Sequence, residues 1–293
     1  MKQSTLSFLI RPLIQTAFFF AQNPFLGNFL TGRIHDGDSK GFCTPGLNCY
    51  SCPAAAFSCP IGTLQNFFRG AVTDISFAVV GFLVAVSAMF GRFICGYVCP
   101  MGFLQDILHK TPLPKLRVRL KYLSYLRYVI LALFVVILPI AVSDYFSQNG
   151  ETWFCAYICP SGTIFGAVPL LAHPSNAPLR DMLGGVFIQK AVIAIAIVLT
   201  SMFIYRIFCR LLCPLGAIYS IFNKISFIRI NFAESRCTSC RKCDKACHVN
   251  LSPITDTTSH DCMRCGSCVR SCPTDALKYG TLITKRTDST NAS

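Results

Sequence analysis

Eight cysteines in two runs carry the plainest chemistry in the chain. Residues 237 to 247 read Cys-Thr-Ser-Cys-Arg-Lys-Cys-Asp-Lys-Ala-Cys, and the partner run from Cys262 ends in Cys272-Pro273. Both runs follow C-x2-C-x2-C-x3-C. This spacing wraps a short loop around a 4Fe-4S cube, and the fourth cysteine of each run reaches across to the other cluster. The expected ligand sets are Cys237, Cys240, Cys243 and Cys272 for one cluster, and Cys262, Cys265, Cys268 and Cys247 for the second. Zinc knuckles would show paired C-x2-C units rather than this three-plus-one run. Disulfides are the other alternative, and the run implies a reducing compartment and metal instead. His248 follows the first run where a proline is usual. It changes a turn, removes no ligand, and reads as a solvated loop histidine.

A second group of cysteines repeats along the apolar part of the chain. Cys59-Pro-Ile-Gly-Thr-Leu-Gln, Cys99-Pro-Met-Gly-Phe-Leu-Gln, Cys159-Pro-Ser-Gly-Thr-Ile-Phe and Cys213-Pro-Leu-Gly-Ala-Ile-Tyr share C-P-x-G. In three of them another cysteine lies four residues earlier: Cys95, Cys155 and Cys209. In the first, Cys52 lies seven earlier, as if Pro53 to Ala56 carried a three-residue insertion. Cysteines four apart on a helix share a face. Each C-x3-C-P is therefore expected to offer two thiolates from one helix end. Cys95, Cys99, Cys209 and Cys213 are expected to meet on the cytoplasmic side and hold a third 4Fe-4S cluster. Cys52, Cys59, Cys155 and Cys159 are expected to hold a fourth near the outer side. Proline suits the first turn of the following helix, where its missing N–H costs nothing. That helix then turns its positive dipole end toward an anionic cluster. The alternative for each pair is structural packing or a disulfide, which an oxidising outer side permits. Cys43 and Cys49 pair together, replace Cys52 or ligate something else.

The elements that must position these thiols are membrane helices. The chain has 293 residues, 53% hydrophobic and only 14% charged, where a soluble domain carries about a quarter. The net charge of +14 sits beside apolar spans, as in cytoplasmic loops, so no nucleic-acid partner is expected. A crossing needs about 20 apolar residues. Residues 72–94, 123–143 and 184–208 qualify. A fourth candidate, about 7–30, carries Arg11, Gln15, Gln22 and Asn23, and reads as a retained helix rather than a signal peptide. Residues 161–172 are too short to cross and read as a re-entrant piece. Lys110, Lys115, Arg117, Arg119, Lys121 and Arg127, with Arg92, flank one acid, Asp106, between the second and third spans. The loop 144–182 has only Arg180 against Asp144, Glu151 and Asp181. The positive-inside rule puts both termini in the cytoplasm of a multi-pass protein of the cell inner membrane, in contact with membrane lipid. Tyr122, Tyr125 and Tyr128 form an interfacial belt. Lys190 is expected to snorkel outward from the last span, and Asp74 suits a helix N-terminus.

The expected fold is an all-α bundle of four transmembrane helices over residues 1–229. It contains a parallel internal repeat, roughly 43–109 and 153–224. An α+β two-cluster bacterial-type ferredoxin module follows over 230–283, with a disordered tail at 284–293.

The pairs Cys95/Cys99, Cys155/Cys159 and Cys209/Cys213, together with the two-cluster module, resemble the membrane polyferredoxins. That family includes NapH-type quinol dehydrogenase subunits, the membrane part of NosR-type regulators and CcoG-type oxidase assembly proteins. The resemblance covers about residues 40 to 280. It implies four membrane helices, a cytoplasmic C-terminus and electron movement between quinol or cytoplasmic donors and an outer-side partner. The family pattern centres on two C-x3-C-P motifs. This chain has three and a variant at Cys52/Cys59, so nitrate reduction does not carry over.

Other chemistries lack their residues. None of the five histidines, His35, His109, His173, His248 and His260, sits inside a clear span, which argues against a b-type haem. There is no C-x-x-C-H, no G-x-G-x-x-G and no P-loop. No nucleophile, base and orienter set appears, so no catalytic residue is expected. Arg236, Arg241, Lys242, Lys245, Arg264, Arg270 and Lys278 surround the module; they raise cluster potentials or rest against anionic lipid. The sequence therefore reads as a membrane electron-transfer subunit of an oxidoreductase. It would link a cytoplasmic ferredoxin-like partner, the quinone pool and an outer-side redox partner. Gln15, Gln22 and Asn23 are the candidate quinone contacts. The alternative is a redox-sensing or metal-centre assembly protein, and the lack of a His-rich or Met-rich tract argues against copper handling.

Overall fold

The computed structural model describes residues 2–68, 74–120, 122–142, 152–181 and 183–282. Lys121, Asp144, Glu151 and the tail 284–293 lie outside them. The first helix, α1 (Lys2–Gln22), forms despite its polar residues because they share one inward face. Arg11 and Gln15 are one helical turn apart. Both are buried, whereas Leu13 between them is 70% exposed. Gln15 donates to the Gly96 carbonyl at 3.0 Å and Gln22 to the Val98 carbonyl at 2.8 Å. Asn23 donates to Phe19 O at 2.9 Å and accepts from Asn48 at 3.0 Å. The residues that weaken this stretch as a lipid-facing span are spent inside the protein.

Helix α2 (Pro60–Phe68) is followed by α3 (Asp74–Phe90), the short α4 (Phe93–Tyr97) and α5 (Pro100–Leu108). The expected span 72–94 thus stops at Phe90. Gly91 takes φ +53°, where a Cβ would lie 2.9 Å from Ser226 Oγ, and this left-handed residue breaks the helix. Helix α6 (Leu123–Ala141) is π-helical across Leu131–Ile137. After the short α7 (Trp153–Tyr157) come α8 (Gly162–Ala172) and α9 (Gly185–Phe203).

Among the described residues, α6 and α9 are the two helices long and apolar enough to cross a membrane, against the four expected. Only 17% of the apolar window of α9 is buried. Ile188, Val192, Ile195 and Leu199 line one face and are 52 to 63% exposed. A bare apolar face of that kind needs an apolar surround.

Helices α10 (Ile207–Leu211) and α11 (Pro214–Ile221) lead into a small module. There β1 (Ile228–Phe232) pairs antiparallel with β2 (Leu277–Thr281), with Ile230 opposite Tyr279. Helices α12 (Lys242–Ala246) and α13 (Ser267–Ser271), which lie between the strands in sequence, pack against each other, and Ile230, Cys243, Cys268 and Leu277 form the module's own core.

Five arginines, Arg92, Arg127, Arg206, Arg210 and Arg264, are at most 1% exposed. Arginine is almost never this buried unless paired. Three of them dock the module. Arg92 donates to His260 O at 2.7 Å, Arg127 meets Asp261 at 3.0 Å, and Arg264 reaches Phe90 O at 3.3 Å. Arg92 and Arg127 therefore act within the fold, not as free charges facing the cytoplasm, and Arg264 is no surface residue.

Asp106 is the main buried anion of the helical part. It accepts from Arg206 at 2.7 and 2.6 Å, from Arg11 at 2.5 Å and from Gln15 at 2.8 Å. Burial pushes its carboxyl up, but the Arg206 and Arg11 charges outweigh that and hold it at about 2. A depressed carboxyl contributes stability above its unfolded value, about 4. The contribution is lost as pH falls from there toward 2. Asp106→Asn strands two buried cations, and the expected cost is about 3–5 kcal/mol. A lowered unfolding midpoint in detergent checks this, and an unchanged midpoint contradicts it.

Candidate metal centres

Each C-x3-C-P motif is built as two short helices meeting at the second cysteine, not as one helix carrying both. The first cysteines lie in α4, α7 and α10. The second lie in extended backbone: Cys99 has φ −75° and ψ 121°, and Cys213 φ −75° and ψ 113°. Proline disfavours helical backbone in the residue before it, and itself opens the next helix. The turn is the same three times. The amides of Val98 and Cys99 meet Ile94 O at 2.9 and 3.2 Å. Those of Ile158 and Cys159 meet Phe154 O at 3.0 and 2.9 Å, and those of Leu212 and Cys213 meet Phe208 O at 2.9 and 3.1 Å. A Cβ on Gly102 would lie 2.8 Å from Cys95 O, and one on Gly216 3.1 Å from Cys209 O. In these two motifs glycine lets the second helix fold back against the first.

The structure brings Cys95, Cys99, Cys209 and Cys213 together. All four are buried, and their sulfurs lie within electrostatic reach of one another. Two arginines strap the motifs across. Arg92, three residues before Cys95, donates to the Cys209 carbonyl at 2.9 Å. Arg206, three residues before Cys209, donates to the Cys95 carbonyl. N–H groups already face the sulfurs: Leu47 to Cys99 at 3.3 Å, Gly216 to Cys213 at 3.3 Å and the Gln105 side chain to Cys209 at 3.1 Å.

The outer set departs from expectation. Cys59, Cys155 and Cys159 line a cavity of about 650 Å³, but the fourth cysteine there is Cys49, not Cys52. Cys52 packs with Ala54 and Ala55, its thiol 3.8 Å from Asn23 Oδ1. Cys43 lies 3.5 Å from the Thr63 hydroxyl. No five-residue helix precedes Cys59 as one precedes the other motifs. Residues 43–58 form a loop, held by Thr44 to Ser58 O at 3.1 Å and Cys52 to Cys49 O at 3.1 Å, and these turns carry Cys49 inward. Lys190 does not snorkel away but lines the same cavity, beside Gly162. Ser161 Oγ, buried and without a partner, lines it too.

In the module, Cys237, Cys240, Cys243 and Cys272 line one small cavity. Cys247, Cys262, Cys265 and Cys268 line another. The fourth cysteines are exchanged between runs. Both loops turn through the same left-handed pair, Ser239 and Arg241 in one, Arg264 and Gly266 in the other. Burial pushes the Cys262 thiol up to about 11 and Cys268 higher still. The exposed Cys240 is lowered by the Lys242 amide. Metal binding at these buried thiols therefore has to displace their protons.

Among the described residues, no three His, Cys, Asp or Glu side chains converge tightly enough for a single metal ion. A cubane needs a different arrangement, with four sulfurs around the width of an inorganic core, and the donor set in each site is four cysteines. The four sets are contiguous. Tyr97, two residues after Cys95, donates to Cys265 O at 3.4 Å. Leu47 faces Cys99 while Cys49, two residues on, lines the outer cavity. Gln65, Gln105 and the straps from Arg92 and Arg206 escape a reading of the cysteines alone. Their signals are R-x2-C-x3-C-P, present twice, and C-P-x-G-x2-Q, present twice.

A model described as 4Fe-4S binding domain matches residues 75–121, 126–171 and 191–232, and a second of the same description matches 259–278. An uncharacterized protein of Methanocaldococcus jannaschii, MJ0750, is 29% identical over 78% of this chain and 88% of its own. The putative electron transport protein YccM of Escherichia coli is 25% identical over 73% of this chain and 60% of its own. The ferredoxin-type protein NapH of Escherichia coli is 24% identical over 76% and 74%. No solved structure matches the chain. The matches and the cysteine sites define a 4Fe-4S electron-transport protein. Within that class, the chain is similar to the NapH-like, ferredoxin-type membrane proteins.

Replacing Cys49 by Ala is expected to remove about four irons per chain, one cubane's worth, and Cys52→Ala none. Anaerobic iron assay of the two variants checks this, and the reverse pattern restores Cys52 to the site.

Proposed function

We propose that the chain is a multi-pass protein of the cell inner membrane that moves electrons between its two faces through four 4Fe-4S clusters. The module and both termini face the cytoplasm, as the charge asymmetry of the loops supports. The observation that carries this reading is the unbroken order of four-cysteine sets. It runs from Cys237, Cys240, Cys243 and Cys272, through Cys262, Cys265, Cys268 and Cys247, to Cys95, Cys99, Cys209 and Cys213. It ends at Cys49, Cys59, Cys155 and Cys159.

Bound there, the clusters supply one-electron carriers in sequence. The protein's own residues supply spacing, insulation and charge. Cys240 is exposed at the module's edge, where a cytoplasmic ferredoxin-like partner can approach. The outer cavity, with Lys40 and Lys190 in its wall, suits an acidic outer-side partner. A cleft of about 370 Å³ between α1 and α3, walled by Phe18, Phe42, Phe82 and Phe90, opens beside Val98 of the inner motif. Gln22 lines it, with Oε1 buried and without a partner. That cleft supports quinone as a further redox partner. Gln15 and Asn23 are bonded within the protein and do not line that cleft.

Sealed vesicles with a reduced low-potential donor on the module side and a trapped acceptor inside test the reading. Sustained reduction of the acceptor is expected, abolished by Cys209→Ala. Fully loaded protein that delivers no electrons contradicts it and favours redox sensing or metal-centre assembly.

A further inference from the structure

We infer that Gln65 and Gln105 are positioning residues. Each one holds the first cysteine of the facing motif and, through an N–H bond to its sulfur, sets the reduction potential of one cluster. The inference rests on the four-cluster reading above.

The two glutamines make the same contacts in two different sites. Gln105, on α5, donates from Nε2 to Cys209 Sγ at 3.1 Å and to Met101 O at 3.3 Å. Its Oε1 accepts the Phe208 amide at 3.2 Å. Gln65, on α2, donates to Cys155 Sγ at 3.1 Å and to Ile61 O at 3.2 Å. Its Oε1 accepts the Phe154 amide at 2.9 Å. Both side chains are 0% exposed.

The amide orientation follows from chemistry. A backbone N–H can only donate, so the oxygen must face Phe208 or Phe154. The NH₂ group is then turned onto the sulfur and the carbonyl one helical turn back, and every donor is used. An amide N–H that faces a sulfur in a dry site is strongest when that sulfur is a thiolate. The two remaining C-P-x-G motifs carry Phe165 and Tyr219 at the equivalent position. One sulfur in each membrane-domain set therefore receives a side-chain N–H. A leucine would fill the space without needing a partner, whereas a buried amide is costly unless satisfied.

A reduced cluster carries one more negative charge than an oxidised one. A donor fixed on a ligand sulfur favours the reduced state and raises the potential. A glutamine that merely tied two helices together would leave the potential unmoved.

Full-length Gln105→Met and Gln65→Met, purified anaerobically, test this by iron and sulfide assay and by potentiometric titration followed by EPR. Each variant is expected to keep its iron and to shift one midpoint potential to a more negative value, a different one in each variant. Retained iron with every potential unmoved overturns the inference. Where a variant loses its cluster, the wild-type protein decides, labelled with ¹⁵N only in glutamine side chains. Pulsed EPR is expected to show a ¹⁵N coupling at both membrane-domain clusters, and its absence overturns the inference. A wild-type chain that assembles only the two module clusters overturns the four-cluster reading and this inference with it.

Discussion

Four thiolates around an iron–sulfur core form an anion, and the inside of a helical bundle is a poor solvent for one. Almost every unusual feature of this fold answers that constraint. Arg92 and Arg206 are wholly buried and cross between the two inner motifs, each on the other's cysteine carbonyl. Helices α5 and α11 begin immediately after Cys99 and Cys213, so their positive ends face the sulfurs. Leu47, Gly216 and Gln105 aim N–H groups at three of the four thiols. Fixed dipoles and buried cations replace the water that is missing.

The same constraint ties the centres to the rest of the chain. Arg206 can stay buried because Asp106 takes its other side, and Asp106 in turn anchors Arg11 and Gln15 of α1. Helix α1 is thereby joined to the inner site through a chain of charges rather than through apolar packing alone. The module is held the same way, by Arg92, Arg127 and Arg264 on carbonyls and Asp261. The outer site is different. No arginine strap precedes Cys155, the loop 43–58 replaces a short helix, and the cavity is large. The site at Cys49, Cys59, Cys155 and Cys159 is open, whereas the one at Cys95, Cys99, Cys209 and Cys213 is closed.

The module was almost fully legible in the sequence, because C-x2-C-x2-C-x3-C fixes both the local turns and the exchange of fourth cysteines. The meeting of Cys95 and Cys99 with Cys209 and Cys213 was legible from the repeat alone. What the spacing could not reveal was the backbone of each pair. Proline after the second cysteine breaks the helix one residue early, so i, i+4 geometry did not apply. Cys52 misled for a related reason. Counting back from Cys59 assumes a helix, and residues 43–58 form none, so the nearer partner in space is Cys49. Gly91 likewise hid in an apolar run and cut a span that hydropathy alone would continue. The polar residues of α1 read as defects in a membrane helix until Asp106 and the carbonyls of Gly96 and Val98 were seen opposite them.

The most direct test is an anaerobic count of iron and acid-labile sulfide per chain on freshly purified wild-type protein. About sixteen of each, four to a cubane, is the expected result, since four cysteine sets are in place. About eight, accounted for by the module alone, would mean that the thiols gathered inside the helical part hold no clusters, and would contradict the central claim.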